Sequence, residues 1–274
     1  MNPSILILIV TYKCPLHDSK TINSILGQDS HDLNCRYVIW DNSPVAATSL
    51  ELEKVREGLS FEYISKPENV ALSKVYNQVV SANKFKYILL LDQDTGIPKN
   101  YLREIGYHIA NHPQVNLFLP IVKNNQLIVS PGNFNLFKGK HWEDIRKGLI
   151  PSKNLLAVTS GMLISRHYFD SYSYQFDERL NLYGIDSKFM LDFAKNEKEL
   201  FVLPLILAHN SALWSSPTSS ELLPRFKNLR KAWDIILSDR PLPKLLNAIY
   251  GKYLCIKLAV KYRDIRFLLI EKQS

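Results

Sequence analysis

Apolar positions in the first 111 residues switch repeatedly between two periods. Six consecutive apolar residues, Ile5 to Val10, lead into Thr11, the pattern of a strand at 5–11 covered on both faces. Residues 21–28 then set Ile22, Ile25 and Leu26 on one side of a helix. A second buried strand is predicted at 37–40, stopped by the turn formers Asp41-Asn42-Ser43-Pro44. A helix at 50–59, a strand at 61–65 and a helix at 71–82 follow, the last with Leu72, Val75, Tyr76 and Val79 at helical spacing. A strand at 87–91 and a helix at 98–111, with Pro98 at its start, complete the series. The β-α alternation predicts the α/β class: a mainly parallel central sheet with flanking helices.

The second half is less regular. Strands are expected at 115–122 and 126–130, a long loop at 131–151, a strand at 157–165, a helix at 185–195 and a strand at 199–207. Two helices, 220–238 and 242–271, are separated by Arg240-Pro241-Leu242-Pro243. The expected organisation is one compact domain, residues 1–238, with a basic C-terminal helical appendage, residues 239–274.

Composition narrows the class. Of 274 residues, 46% are hydrophobic and 22% charged, as in ordinary soluble globular proteins. No two of the ten glycines lie closer than seven positions apart, which removes the glycine-rich dinucleotide and Walker-type phosphate loops. Three scattered cysteines support neither a disulfide framework nor a cysteine zinc site. The first apolar run follows Met1-Asn2-Pro3-Ser4 without a basic region and is far short of a bilayer span, so a cytoplasmic protein is expected.

The net charge of +8 is concentrated near the end, with eight Lys and Arg against two acidic residues in 240–274. A helix at 242–271 aligns Leu245, Leu246, Ile249, Tyr253, Ile256, Val260 and Phe267, a stripe expected to dock on the domain. Lys244, Lys257, Lys261 and Arg266 lie off that stripe and predict peripheral, salt-sensitive contact with an anionic membrane. No nucleic-acid partner is expected.

Ligands of open parallel sheets bind beyond the carboxyl ends of the strands. The polar residues there are Thr11 and Tyr12, Asp41 and Asn42, Asn69, and Asp92-Gln93-Asp94. Two carboxylates delivered side by side to a sheet edge suit a divalent cation, Mg²⁺ or Mn²⁺, bridging to a substrate diphosphate.

Read in order, Ile7 to Tyr12, Val38 to Ser43, Asn69-Val70-Ala71 with Asn77, and Leu89 to Thr95 resemble the family 2 glycosyltransferases of GT-A (Rossmann-like) fold. Ser160-Gly161-Met162, Phe176-Asp177-Glu178, Tyr183 to Asp186, His209 and the region around 225–231 extend the likeness over roughly 4–235. Within the family the chain is similar to the bacterial rhamnosyltransferase-like branch. The resemblance implies that Thr11 and Asp41 line the nucleotide-base pocket, with Tyr12, Asn69 and Gln93 also on the donor. Asp92 is implied near the ribose, Asp94 on the metal, Asp186 as general base, His209 at the metal or diphosphate, and Arg230 near the leaving diphosphate. It departs from the family at Ala71 and at Ser211-Ala212, where glycine is usual, and at Arg230-Lys231, where Arg-Asn is usual.

Each residue also has a plain structural duty open to it. Asp41 can start its turn, Asp186 can cap a helix, and His209 can end a strand. Trp142 and Trp214 fall in expected loops, where they stack on a sugar or join the core, whereas Phe176, Tyr183 and Phe189 read as core. The implied function is inverting transfer of a sugar, best matched by L-rhamnose from dTDP-rhamnose, to a glycan or lipid-linked oligosaccharide in bacterial surface polysaccharide synthesis. A UDP-dependent hexosyl or galactofuranosyl transferase is the near alternative. A sugar nucleotidyltransferase and a non-catalytic GT-A scaffold are the alternatives of other classes.

Overall fold

The computed structural model describes residues 4–209 and 218–273. Its first half follows the expected order: β1 (Ser4–Thr11), α1 (Lys20–Leu26), β2 (Asn34–Asp41), α2 (Ser49–Arg56), β3 (Phe61–Ser65), α3 (Leu72–Ala82), β4 (Tyr87–Asp92), the short β5 (Thr95–Gly96) and α4 (Tyr101–Asn111). Strands β3, β2, β1 and β4 lie side by side, all parallel. Alternate residues feed two cores. Leu6, Leu8, Val38, Ile88 and Leu90 point to one face, and Ile5, Ile7, Ile9, Ile39, Leu89 and Leu91 to the other. This two-sided burial is why these strands read as unbroken apolar runs.

Beyond β4 the sheet becomes mixed. The chain continues through β6 (Leu117–Asn124), β7 (Leu127–Ser130), β8 (Gly132–Asn135), β9 (Lys138–His141), β10 (Gly148–Pro151), β11 (Leu155–Leu156), β12 (Leu163–Ser165), α5 (Arg166–Tyr172), α6 (Ile185–Asn196), β13 (Glu199–His209), α7 (Ser219–Ile236) and α8 (Pro241–Tyr262). β12 runs antiparallel between β4 and β6, β13 is parallel to β6, and β10 closes that edge antiparallel to β13.

Three expectations are corrected. The expected loop at 131–151 contains β8, β9 and β10, with β8 joined to β9 and β11 in a small second sheet. Lys138-Gly139-Lys140-His141 has no apolar alternation to announce a strand; cross-strand pairing specifies it. The strand expected at 157–165 shrinks to Leu163–Ser165, because Gly161 takes φ +89° and breaks the extended run. A Cβ at Gly161 would fall 2.5 Å from Pro120 Cγ and 2.6 Å from Leu207 Cδ1, so glycine is required there twice over.

The third correction concerns the C-terminal helix. α8 ends at Tyr262, Arg263 adopts φ 51°, and a 3₁₀ segment runs over Ile265–Gln273. α8 docks through the face opposite the expected stripe. Asn247, Gly251 and Cys255 are buried at four-residue spacing, with Leu254, Leu258, Ala259 and Tyr262 packed around the small core of Phe226, Cys255, Phe267 and Ile270. Small side chains let the helix approach α7 closely, and a Cβ at Gly251 would fall 2.2 Å from Arg230 Cζ. The Asp264 carboxylate accepts from Arg266 at 2.7 Å and from the Ser219 hydroxyl, tying the 3₁₀ segment to α7. Leu245, Ile249, Tyr253, Ile256 and Val260 are left exposed. Of the expected stripe, Phe267 is buried and Leu246 half-buried.

Candidate active site

Strand register gathers the candidate residues at one edge. Val10 lies opposite Asp92, Thr11 opposite Asp41, and Asp41 opposite Ser65, so the carboxyl ends of four parallel strands meet there. The Asp92 amide donates to Ser160 Oγ at 3.0 Å, and Ser160 Oγ lies 2.7 Å from Thr95 Oγ1. The Thr21 hydroxyl reaches the Asp92 carbonyl, and Thr21 Oγ1 accepts the Thr95 amide at 3.0 Å. Thr21, Thr95 and Ser160 are all buried, so their hydroxyls hold the Asp92–Thr95 segment from within the fold.

Electrostatic coupling brings Asp186 into the same cluster. Burial, with Asp94 and Asp186 close by, pushes the Asp92 carboxyl up to about 7. Burial also raises Asp186 above the ordinary carboxylate value, against the pull of the Ser187 amide, which donates to Asp186 Oδ1 at 2.6 Å. Asp186 sits in the first turn of α6. That helix is started by Gly184 at φ +81°, where a Cβ would fall 2.7 Å from Ile236 Cδ1. Tyr76, fully buried, lies in the field of both Asp92 and Asp186. The Cys14 thiol is raised by burial and then by Asp18, Asp94 and Asp41, which sets the loop after β1 near Asp94 and Asp41.

The other expected residues divide. Asp41 is buried and keeps its turn duty, since Oδ1 accepts the Ser43 amide at 2.9 Å and Oδ2 accepts the Tyr63 hydroxyl at 2.6 Å. Each of its oxygens has a further lone pair for a ligand N–H. Thr11 is fully buried and its Oγ1 has no partner among the described residues. Gln93 clamps the neighbouring loop, accepting the Tyr12 amide at 2.6 Å and donating to the Tyr12 carbonyl at 3.2 Å. Tyr12 stays exposed beside this clamp. Asn69 is exposed at φ 53°, and its amide donates to the Lys66 carbonyl in a turn. At Ala71, where the family usually has glycine, φ is −53°, so alanine fits without strain.

Arg230 lies in α7. Its Nη1 donates to the Asn247 carbonyl at 3.0 Å and to Asn247 Oδ1 at 2.6 Å, at the junction of α7 and α8. The backbone of His209 pairs with Thr95, which brings the end of β13 beside the Asp92–Asp94 segment. The side chain of His209, and Ser211, Ala212 and Trp214, lie outside the described residues. Trp142 is core, its Nε1 donating to Asn133 Oδ1 at 3.0 Å. Phe176 and Phe189 are core as expected, with Tyr183 half-buried against the same core.

Sequence reasoning missed the supporting residues Thr21, Tyr63 and the Ser160 hydroxyl. Thr21 and Tyr63 look like ordinary helix and strand residues, and Ser160 stood in a motif without an assigned duty. A cavity of about 840 Å³ opens at the opposite edge of the sheet, among Ser4, Lys86, Tyr87, Asn116 and Arg166, and contains none of the aspartates.

The donor set fits a hard cation shared with a ligand. Asp92 and Asp94 offer carboxylate oxygens, and the charge of Asp94 acts against ionisation of Asp92. Among the described residues no group of three His, Cys, Asp or Glu side chains forms a cage, so substrate oxygens and water would have to complete the shell.

A mixed sheet whose carboxylates meet where its parallel strands end is the arrangement of a GT-A glycosyltransferase. The chain belongs to glycosyl transferase family 2, whose family model matches residues 6–173. That span includes Asp41, Asp92 and Asp94, and stops before Asp186. Among solved structures, S. aureus TarS 1–349 in complex with UDP-GlcNAc is similar with a TM-score of 0.60 and 16% identity, covering 97% of this chain and 78% of that one. TarS 1–349 with UDP is similar with a TM-score of 0.54 and 16% identity, covering 86% and 70%. GalNAc-T7 with UDP, GalNAc and Mn²⁺ gives a TM-score of 0.60 at 12% identity, covering 99% of this chain and 57% of that one. At these identities the likeness is one of fold. Comparison with curated protein sequences finds no match.

Proposed function

We propose that this glycosyltransferase inverts the anomeric centre of a nucleotide-diphosphate sugar as it transfers the sugar to a hydroxyl of a glycan or lipid-linked oligosaccharide. The observation that carries this reading is the strand register, which puts Asp41 and the Asp92–Asp94 segment at one carboxyl edge inside the span that the family model matches. One pair of carboxylates follows a strand and a third opens a helix; in this reading the pair serves the donor and Asp186 the acceptor. Asp186, raised by burial, is the general base. It takes the acceptor's proton as the acceptor oxygen forms its bond to the anomeric carbon, and the bond from that carbon to the diphosphate oxygen breaks with its electron pair leaving on the nucleotide. Asp94 and His209 would hold Mn²⁺ or Mg²⁺, with Asp92 toward the ribose; a bound cation would neutralise charge gathering on the diphosphate. Asp41 receives an N–H of the base, and Thr11, Tyr12, Asn69 and Gln93 shape that end of the pocket.

The donor best matched by Asp92-Gln93-Asp94-Thr95 is dTDP-L-rhamnose. A UDP-sugar is the second reading, favoured by the UDP and UDP-GlcNAc held by TarS and the UDP held by GalNAc-T7. The proposed setting is surface polysaccharide assembly at the inner face of the cytoplasmic membrane. Thermal-shift screening against dTDP-, UDP- and GDP-sugars with each cation, followed by diphosphate release, tests the reading. Stabilisation by one nucleotide class with cation-dependent release supports it; nucleotide binding without release by any donor or acceptor identifies a scaffold.

A further inference from the structure

We infer that the outward face of α8 inserts into the interface of an anionic lipid bilayer. Leu242, Leu245, Ile249, Tyr253, Ile256 and Val260 recur at three- and four-residue spacing and form one narrow stripe. They remain 55–74% exposed, and none of the described residues covers them. A soluble helix turns such a stripe inward. Here the helix cannot roll to do so, because its opposite face is fixed by the Arg230–Asn247 hydrogen bonds and by Phe137 packed on Tyr250. Beyond the turn at Arg263, Ile265, Leu268 and Leu269 are exposed as well.

Charge selects the occupant. α8 contains no Asp or Glu, and Lys252 flanks the stripe on one side with Lys257 and Lys261 on the other. A second copy packed on this stripe by a two-fold axis would set those lysines against their own copies. Anionic headgroups would neutralise them while the acyl boundary takes the apolar side chains. No helix among the described residues is long and apolar enough to cross a membrane, so α8 would lie in the interface plane. The sequence pattern suggested attraction by charge over a docked stripe; the structure leaves the stripe itself exposed and free to meet lipid. The inference is independent of the catalytic reading.

The test uses the full chain and vesicles of phosphatidylglycerol mixed with phosphatidylcholine, or of phosphatidylcholine alone. Tyr253→Trp reports depth: quenching by lipids brominated on the acyl chain is expected on the anionic vesicles. The triple change Ile249→Gln, Ile256→Gln and Val260→Gln, all at exposed positions, should lower vesicle binding by about tenfold or more. It should leave the circular dichroism spectrum and nucleotide binding unchanged. Binding that survives the triple change but vanishes in high salt would overturn insertion. So would a dimer in sedimentation equilibrium that the triple change dissolves while vesicle binding is absent.

Discussion

The backbone N–H of Asp92 donates to the buried hydroxyl of Ser160 at 3.0 Å, and so the second half of the chain holds the first carboxylate of the site in place. Ser160 precedes Gly161, whose own amide donates to the Leu90 carbonyl at 2.7 Å. Ser160→Ala strands a peptide N–H and should cost about 1–3 kcal/mol of stability. With Asp92 loosened, kcat should fall more than donor affinity. Denaturation together with steady-state kinetics checks both; equal stability and kinetics in the variant would remove the support assigned to Ser160.

Asp92 should be a destabilising residue at neutral pH in the metal-free protein. Its carboxyl is raised from the ordinary 3.8 to about 7, so the folded state binds the proton more tightly than the unfolded chain. Stability therefore falls as pH rises through that window. Asp92→Asn is expected to raise Tm at pH 8 in EDTA and to change it little at pH 4. Each kcal/mol relieved corresponds to roughly 2–4 °C in a domain of this size. A gain equal at both pH values would assign the effect to something other than ionisation.

Asp186→Asn should retain donor affinity and lose transfer by about 10²–10⁴-fold, the range of a general base. Because Asp186 works in its charged form and burial raises it, the acid limb of kcat in the wild type should lie above the ordinary aspartate range. A pH–rate profile of both proteins measures this. Lost donor affinity with intact turnover would move Asp186 to donor binding.

Gly161→Ala combines a positive φ with contacts of 2.5 Å and 2.6 Å to Pro120 and Leu207, and should cost about 2–4 kcal/mol. Urea denaturation should show a lower midpoint at an unchanged slope. An unchanged midpoint would mean that the Ser160–Met162 turn relaxes freely.

Where burial is two-sided the elements were legible in the sequence: Ile5 to Ile9 and Tyr87 to Leu91 admit one reading, and parallel pairing then aligns Thr11, Asp41 and Asp92. The segment 131–151 was not legible, because β8 and β9 are specified by each other and not by an apolar period. α8 misled for a related reason. An apolar stripe normally marks the docked face, but small residues at 247, 251, 255 and 259 gave closer packing on the opposite side. In the site, the aspartates were visible through their place after strands. Thr21 and Ser160 were not, because a hydroxyl that supports a backbone leaves no pattern in its neighbours.

The most direct measurement of the central claim is nucleoside diphosphate release from a panel of dTDP-, UDP- and GDP-sugars, with acceptor and with Mn²⁺ or Mg²⁺, by wild type, Asp94→Ala and Asp186→Asn. The wild type should release diphosphate from one donor class, lose that activity in EDTA, and yield a product of inverted anomeric configuration. Asp94→Ala should abolish release, and Asp186→Asn should still bind the donor. Full activity in EDTA, or wild-type rates in both variants, would contradict an active site built on Asp92, Asp94 and Asp186.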